Sequence, residues 1–175
     1  MKTRTINIYS FNELSEQAKE NAINNLCGVG VDYEWWDSIY DDANTIGLKI
    51  TSFDVDRRKQ AKGELTCSMN ECIDKIISHH GENTDTYMLA MSYRDKWDDL
   101  VLTHSDGENT NVVSEENEYE FDREADELEE DFLKDLCEEY ASILQREYEY
   151  MLSDEYIIEM IEANEYEFDE KGNLI

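Results

Sequence analysis

Apolar positions along the chain fall into a few periodic runs. Ile6 and Ile8 alternate with polar neighbours in a β-branched stretch, which predicts an opening strand over Thr3 to Tyr9. Ser10-Phe11-Asn12-Glu13 follows with capping-box spacing. Leu14, Ala18, Ala22 and Leu26 then recur at every fourth position, predicting a helix to about Leu26 that Gly28 ends. A second helix is expected from Asp32 to Thr45, with Trp35, Trp36, Ile39, Tyr40 and Ala43 near one side and Gly47 at its end. Adjacent tryptophans cannot both point into a core at helical spacing, so one is expected at its edge.

Leu48 to Val55 reads as a strand reaching the basic cluster Arg57-Arg58-Lys59, with Gly63 to Met69 as its partner, in a small antiparallel sheet covered by two helices. Asn70 to His80 carries Cys72, Ile73, Ile76 and Ile77 at helical spacing. Tyr87 to Leu102 reads as a helix giving way to a strand at Leu100-Val101-Leu102-Thr103, and Asp106 to Asn111 as a loop.

The longest run comes next. Phe121, Ala125, Leu128, Phe132, Leu136, Tyr140, Ile143, Leu144 and Tyr148 recur at steps of three and four, predicting a helix from about Asp122 to Leu152 with Phe121, Leu128, Phe132 and Leu136 buried. Ser153 caps a short helix from Asp154 to Ala163, and Tyr166 and Phe168 before Lys171-Gly172 predict a closing hairpin or edge strand. The expected class is α+β. Its organisation is a core over residues 1–113, with an acidic helical region and terminal hairpin over 114–175 packed on that core as one structural domain.

Charge changes this picture. Ser114 to Glu170 holds 24 Asp and Glu against Arg123, Lys134 and Arg146, so most of the net charge of −29 lies there. Between Asp122 and Glu139 stand ten carboxylates and two cations. Over about 27 Å of helix that is one net charge per ~3.4 Å, near the axial spacing of phosphates along one strand of B-DNA. Carboxylates spiral and phosphates follow a groove, so the likeness is one of linear density only. A surface of this sign repels nucleic acid and anionic membranes and attracts a cationic protein. A solvated face that only confers solubility is the plain alternative. The confinement of charge to one half and its mixing with tyrosines favour a partner surface, because arginine pairs with carboxylates and stacks on rings. The residues expected to carry it are Glu124, Glu127, Glu130, Asp131, Asp135, Glu138, Glu139 and Tyr140.

Catalytic and metal signals are thin. Cys67, Cys72, His79 and His80 are metal-ligand types, but their spacing fits no short zinc knuckle and Cys72 falls on an apolar face, so buried thiols are expected and no metal. The loop at Asp106 to Asn111 lacks the EF-hand order. No P-loop, Rossmann or nucleophile-elbow pattern occurs, so no enzyme activity and no cofactor are expected. Scattered cysteines, a polar N-terminus and the lack of a long apolar run predict a cytoplasmic protein.

Three stretches carry a resemblance. Tyr9 to Ala22 (Y-S-F-N-E-L-S-E-Q-A-K-E-N-A), Trp35 to Ala43 (W-W-D-S-I-Y-D-D-A) and Glu147 to Asp169, ending E-A-N-E-Y-E-F-D, are similar to a group of small acidic phage and prophage proteins. The segment Arg57 to Gly63 departs from the Gly-rich stretch many of them carry after the W-W helix. The resemblance implies a place in the counter-defence repertoire that includes anti-CRISPR proteins. Together with the acidic surface, it makes the expected function stoichiometric inhibition of a CRISPR effector nuclease in the host cytoplasm, by a DNA-mimicking surface that blocks DNA binding. An acidic module neutralising a basic toxin or host regulator, as an antitoxin does, needs the same residues and stays open.

Overall fold

A computed structural model describes residues 7–105, 113 and 117–175. The fold is α+β, with six helices and two small antiparallel two-stranded sheets among the described residues. The chain divides into two compact units: residues up to Trp35 together with Arg146–Ile175, and Trp36–Gln145 between them. The N-terminal stretch packs with the C-terminal one in the first unit.

In the first unit, β1 (Tyr9–Ser10) pairs antiparallel with β4 (Glu167–Phe168), Tyr9 opposite Phe168. Most of the opening strand expected from Thr3 lies outside the described residues. The Ser10 backbone N–H donates to Glu13 Oε2 at 2.9 Å, as a capping box requires, but the box closes a 3₁₀ turn, Phe11–Glu13. The helix proper, α1 (Glu16–Leu26), starts at Ser15, whose hydroxyl accepts from the Ala18 N–H. Between the 3₁₀ turn and α1 the backbone at Leu14 is extended, and its side chain is buried. Leu14, Ala18, Ala22 and Leu26 bury one face of α1 against Ile157 and Ile161 of α6 (Asp154–Ala163), with Phe11 and Phe168 closing the cluster. Ser153 caps α6 by accepting from the Tyr156 N–H.

The chain after Phe168 folds back through a turn organised by Asp169. Its carboxylate accepts from Asn173 Nδ2 and from the backbone N–H groups of Asn173 and Lys171, at 2.8 to 3.0 Å. These bonds hold the Asp169 carboxyl below its ordinary value near 3.8. A depressed carboxyl pKa contributes stability above the unfolded-state value, and that contribution is lost as pH falls through the folded-state value. Asp169→Ala should therefore be less stable than the parent at neutral pH, and the difference should close below pH ~3.8, as read from paired thermal melts across the acid range.

In the second unit, α2 (Asp37–Ile46) begins five residues later than expected, residues 32–36 being bends and turn rather than helix. Trp35 and Trp36 precede the helix and both are half-buried. Gly47 ends α2, its N–H reaching the carbonyls of Ala43 and Asn44. Strands β2 (Leu48–Asp54) and β3 (Gln60–Leu65) form a hairpin whose register shifts between Ile50 and Ser52. β3 begins before Gly63 and stops short of Met69. Arg57-Arg58-Lys59 forms part of the turn, where Asp54 accepts from the N–H groups of Arg57 and Arg58. The single sheet expected from the sequence is two separate pairs.

Helix α3 (Met69–His79) is capped by Ser68, and α4 (Asp85–Thr103) by Thr84. The strand expected at Leu100–Thr103 is the last turn of α4. The period of Thr86, Ala90, Tyr93, Trp97 and Val101 continues through it, and one continuous helix satisfies backbone groups that a lone strand would leave open. The loop expected at Asp106 to Asn111 lies outside the described residues. α5 (Glu118–Met151) is 34 residues long. Phe132, Leu136, Tyr140 and Leu144 are fully buried, whereas Phe121 and Leu128 are half-buried and so correct the expectation for them. Phe121 packs edge-on to Trp97 and His104. No helix among the described residues is long and apolar enough to cross a membrane.

Candidate partner-binding surface

α5 sorts its carboxylates by depth. The eight residues expected to face a partner separate into two sets. Glu127, Glu130, Asp131 and Glu138 are exposed. At steps of three and four with Lys134 among them, they form one row along the helix. Asp122, Asp126 and Glu129, not singled out from the sequence, are exposed as well. Asp126, Glu127 and Glu130 border a shallow depression with Tyr119, Asp122 and Arg123. Arg123 is within 4 Å of Glu120, Glu124 and Glu127, and so offsets part of the charge at this end.

The other residues are engaged inside the unit. Tyr140 is fully buried, and its hydroxyl donates to Asp42 Oδ2 at 2.7 Å. Burial and this bond both raise the Tyr140 pKa, and the ring has no outward face to offer a partner. Asp135 is half-buried and accepts from the Tyr93 hydroxyl at 2.7 Å. The Tyr93 ring lies edge-on to Phe132, with Lys96 Nζ 3.8 Å from its centroid. Glu124 is half-buried beside the buried His104, 3.1 Å from its Nε2, and Glu139 is half-buried. Helical periodicity could not separate these from the exposed acids, because α5 turns its flanks toward polar groups of α2 and α4.

A cleft of about 1060 Å³ adjoins the row. Lys59 and Lys62 of the hairpin stand on one wall, and Glu130, Lys134 and Glu138 on the other, over Ala61, Leu89, Leu133 and Cys137. Its mixed charge gives no single sign of ligand.

The remaining chemistry-bearing residues are dispersed. Cys72 is fully buried, and burial, first, with the neighbouring Cys67 pushes its thiol up to about 12. His79 Nδ1 lies 2.9 Å from the Lys75 carbonyl. His80 Nδ1 lies 2.7 Å from Thr86 Oγ1, with its Nε2 3.4 Å from Asp42 Oδ1. Asp42, His80 and Thr86 have the residue types of a hydrolase triad, but Thr86 is 3% exposed and out of a substrate's reach. The set links α2, α3, α4 and, through Tyr140, α5. Among the described residues no group of three His, Cys, Asp or Glu side chains is placed to hold a metal ion. The chain matches no protein-family model, no curated protein and no solved structure.

Proposed function

We propose that the chain is a phage-encoded inhibitory binding protein. It acts in the cytoplasm of a bacterial host and seats the exposed acidic row of α5 in the cationic nucleic-acid channel of a defence nuclease of the CRISPR-effector type. The observation that carries this reading is the row itself: Glu127, Glu130, Asp131 and Glu138 at helical steps on a helix anchored by Phe132, Leu136 and Tyr140. A rigid helix fixes the spacing of the residues that carry the charges, so the backbone needs no ordering when the row meets a basic channel. Such effectors hold a heteroduplex in a basic groove and read a flanking motif with arginines, groups that carboxylates pair with well. No turnover is involved.

A competitor of this kind raises the apparent DNA dissociation constant of its target in proportion to its own concentration. Glu130→Lys, Asp131→Lys and Glu138→Lys together should weaken the complex by about tenfold or more near physiological salt, because exposed pairs contribute ~0.2–1 kcal/mol each and reversal adds repulsion. Folding should be intact, since all three are exposed. Inhibition that persists with DNA binding undisturbed, or that survives both the triple reversal and ~0.5 M salt, would reject the acidic row as the interface. Affinity capture from host lysate separates a nuclease from a basic toxin as the partner.

A further inference from the structure

A different constellation lies in the unit built from Met1–Trp35 and Arg146–Ile175. Tyr33, Trp35, Tyr156 and Tyr166 line an open pocket of about 550 Å³ together with the carboxylates of Glu34 and Glu147, and no Lys or Arg is among its lining residues. Four aromatic rings and two carboxylates make the lining negative. An anion would be repelled, and a neutral apolar group would leave the carboxylates desolvated without a counter-charge. The chemistry calls for a cation.

Two of the rings are held in place before any ligand arrives. A Cβ on Gly30 would stand 2.6 Å from Cε1 of Tyr156, so only glycine lets that ring lie against the backbone of the 29–31 turn. On its other side Tyr156 meets the Tyr150 ring edge-on at 5.5 Å, and the Tyr150 hydroxyl is fixed by Glu159. Trp35 rests on Tyr148 with centroids 5.9 Å apart. Tyr33, by contrast, is 74% exposed in a unit that buries Phe11, Leu14 and Phe168. An aromatic side chain left in water beside an anionic pocket is free to fold over a ligand.

We propose that this pocket binds the guanidinium group of an arginine side chain presented by a partner protein. Guanidinium is planar and weakly hydrated, so it stacks on Trp35 or Tyr33 while its edge pairs with Glu34 and Glu147. An ammonium is a strongly hydrated point charge and gains less from flat rings. A permethylated ammonium gives no hydrogen bond to two carboxylates and the Asn164 amide, which also lines the pocket. The site is separate from the acidic row of α5 and stands whether or not that row binds a nuclease.

The test is a titration of the full chain with N-acetyl-arginine-N-methylamide, followed by NMR at the Trp35 indole N–H, assigned with Trp35→Phe. A saturable shift is expected at Trp35, with the Trp36 and Trp97 indoles unmoved. The blocked lysine analogue should bind about fivefold or more weakly. Free arginine should bind no more tightly, because its α-ammonium and carboxylate are absent from an arginine within a chain. Tyr33→Ala, and Glu34→Gln with Glu147→Gln, alter exposed positions and should each reduce affinity by about tenfold without changing the circular dichroism. A non-saturating shift, an equal response to the lysine analogue, or full binding by both variants would overturn the site. Tighter binding of free arginine than of the blocked form would overturn a partner side chain as its ligand. The Glu130, Asp131 and Glu138 reversal should leave the titration unchanged.

Discussion

Phe132→Ala should lower stability by about 3–5 kcal/mol, as measured by the shift of the urea midpoint at constant slope. Phe132 is fully buried, and its ring meets Tyr93 edge-on with centroids 5.2 Å apart. Truncation removes the apolar surface of the ring and leaves a cavity that Leu136 cannot fill from the next turn of the same helix. It also removes the support of Tyr93, whose hydroxyl is tied to Asp135. Burial and that carboxylate raise the Tyr93 pKa, so the ring stays neutral and keeps its bond across the working pH range. Leu128→Ala is the control. Half-buried on the same helix, Leu128 should cost about 1 kcal/mol. If the two variants melt together, the burial gradient along α5 described above is wrong.

Gly172→Ala should be comparably damaging, by about 3 kcal/mol or more, although it adds one methyl group at the far end of the sequence. Two costs combine there. Gly172 has a φ of 83°, a conformation that an L side chain adopts only with strain. The added Cβ would also stand 2.0 Å from the Ala18 carbonyl oxygen and 3.1 Å from the Ala22 nitrogen. Both atoms belong to the backbone of α1, so no side-chain rotation relieves the overlap. The turn would have to lift off α1 and carry with it the pairing of Phe168 with Leu174. A thermal melt of Gly172→Ala beside Gly81→Ala, where an added Cβ meets nothing within 4 Å, separates this overlap from a general glycine effect. Equal losses would refute it.

Helices were the legible part of the fold. The four-residue spacing of Leu14 to Leu26 and the long acidic period gave α1 and α5, since burial of one helical face leaves a direct imprint on residue order. The turns were harder. Gly28 marks the end of α1, but the residues alone did not show that the chain stays non-helical from Asp32 to Trp36. A strand was read at each end, but the pairing of β1 with β4 was not, because the partners come from opposite ends of the chain. The site was half legible. Carboxylate density pointed to α5, yet Asp135 and Tyr140 are drawn inward by Tyr93 and Asp42, groups whose proximity only the fold creates. The aromatic pocket went unread for the same reason. Tyr33 and Trp35 come from one end of the chain and Glu147, Tyr156 and Tyr166 from the other.

That joining of distant segments sets a timetable for the chain on the ribosome. Tyr9 and Phe168 are roughly 160 residues apart, and at ~5–20 residues per second about 8 to 30 s pass between the emergence of one and the other. Throughout that interval α1 carries an apolar face whose counterpart has not yet been made, while every residue of the Trp36–Gln145 unit is synthesised before α6. Phe11, Leu14 and Leu26 are therefore residues a chaperone would meet on the nascent chain, and a stop codon between Arg146 and Ile157 removes the α6 residues that pack on them. Such truncated products should be found in the degradation and aggregate fractions of a cell rather than as a shortened but working protein.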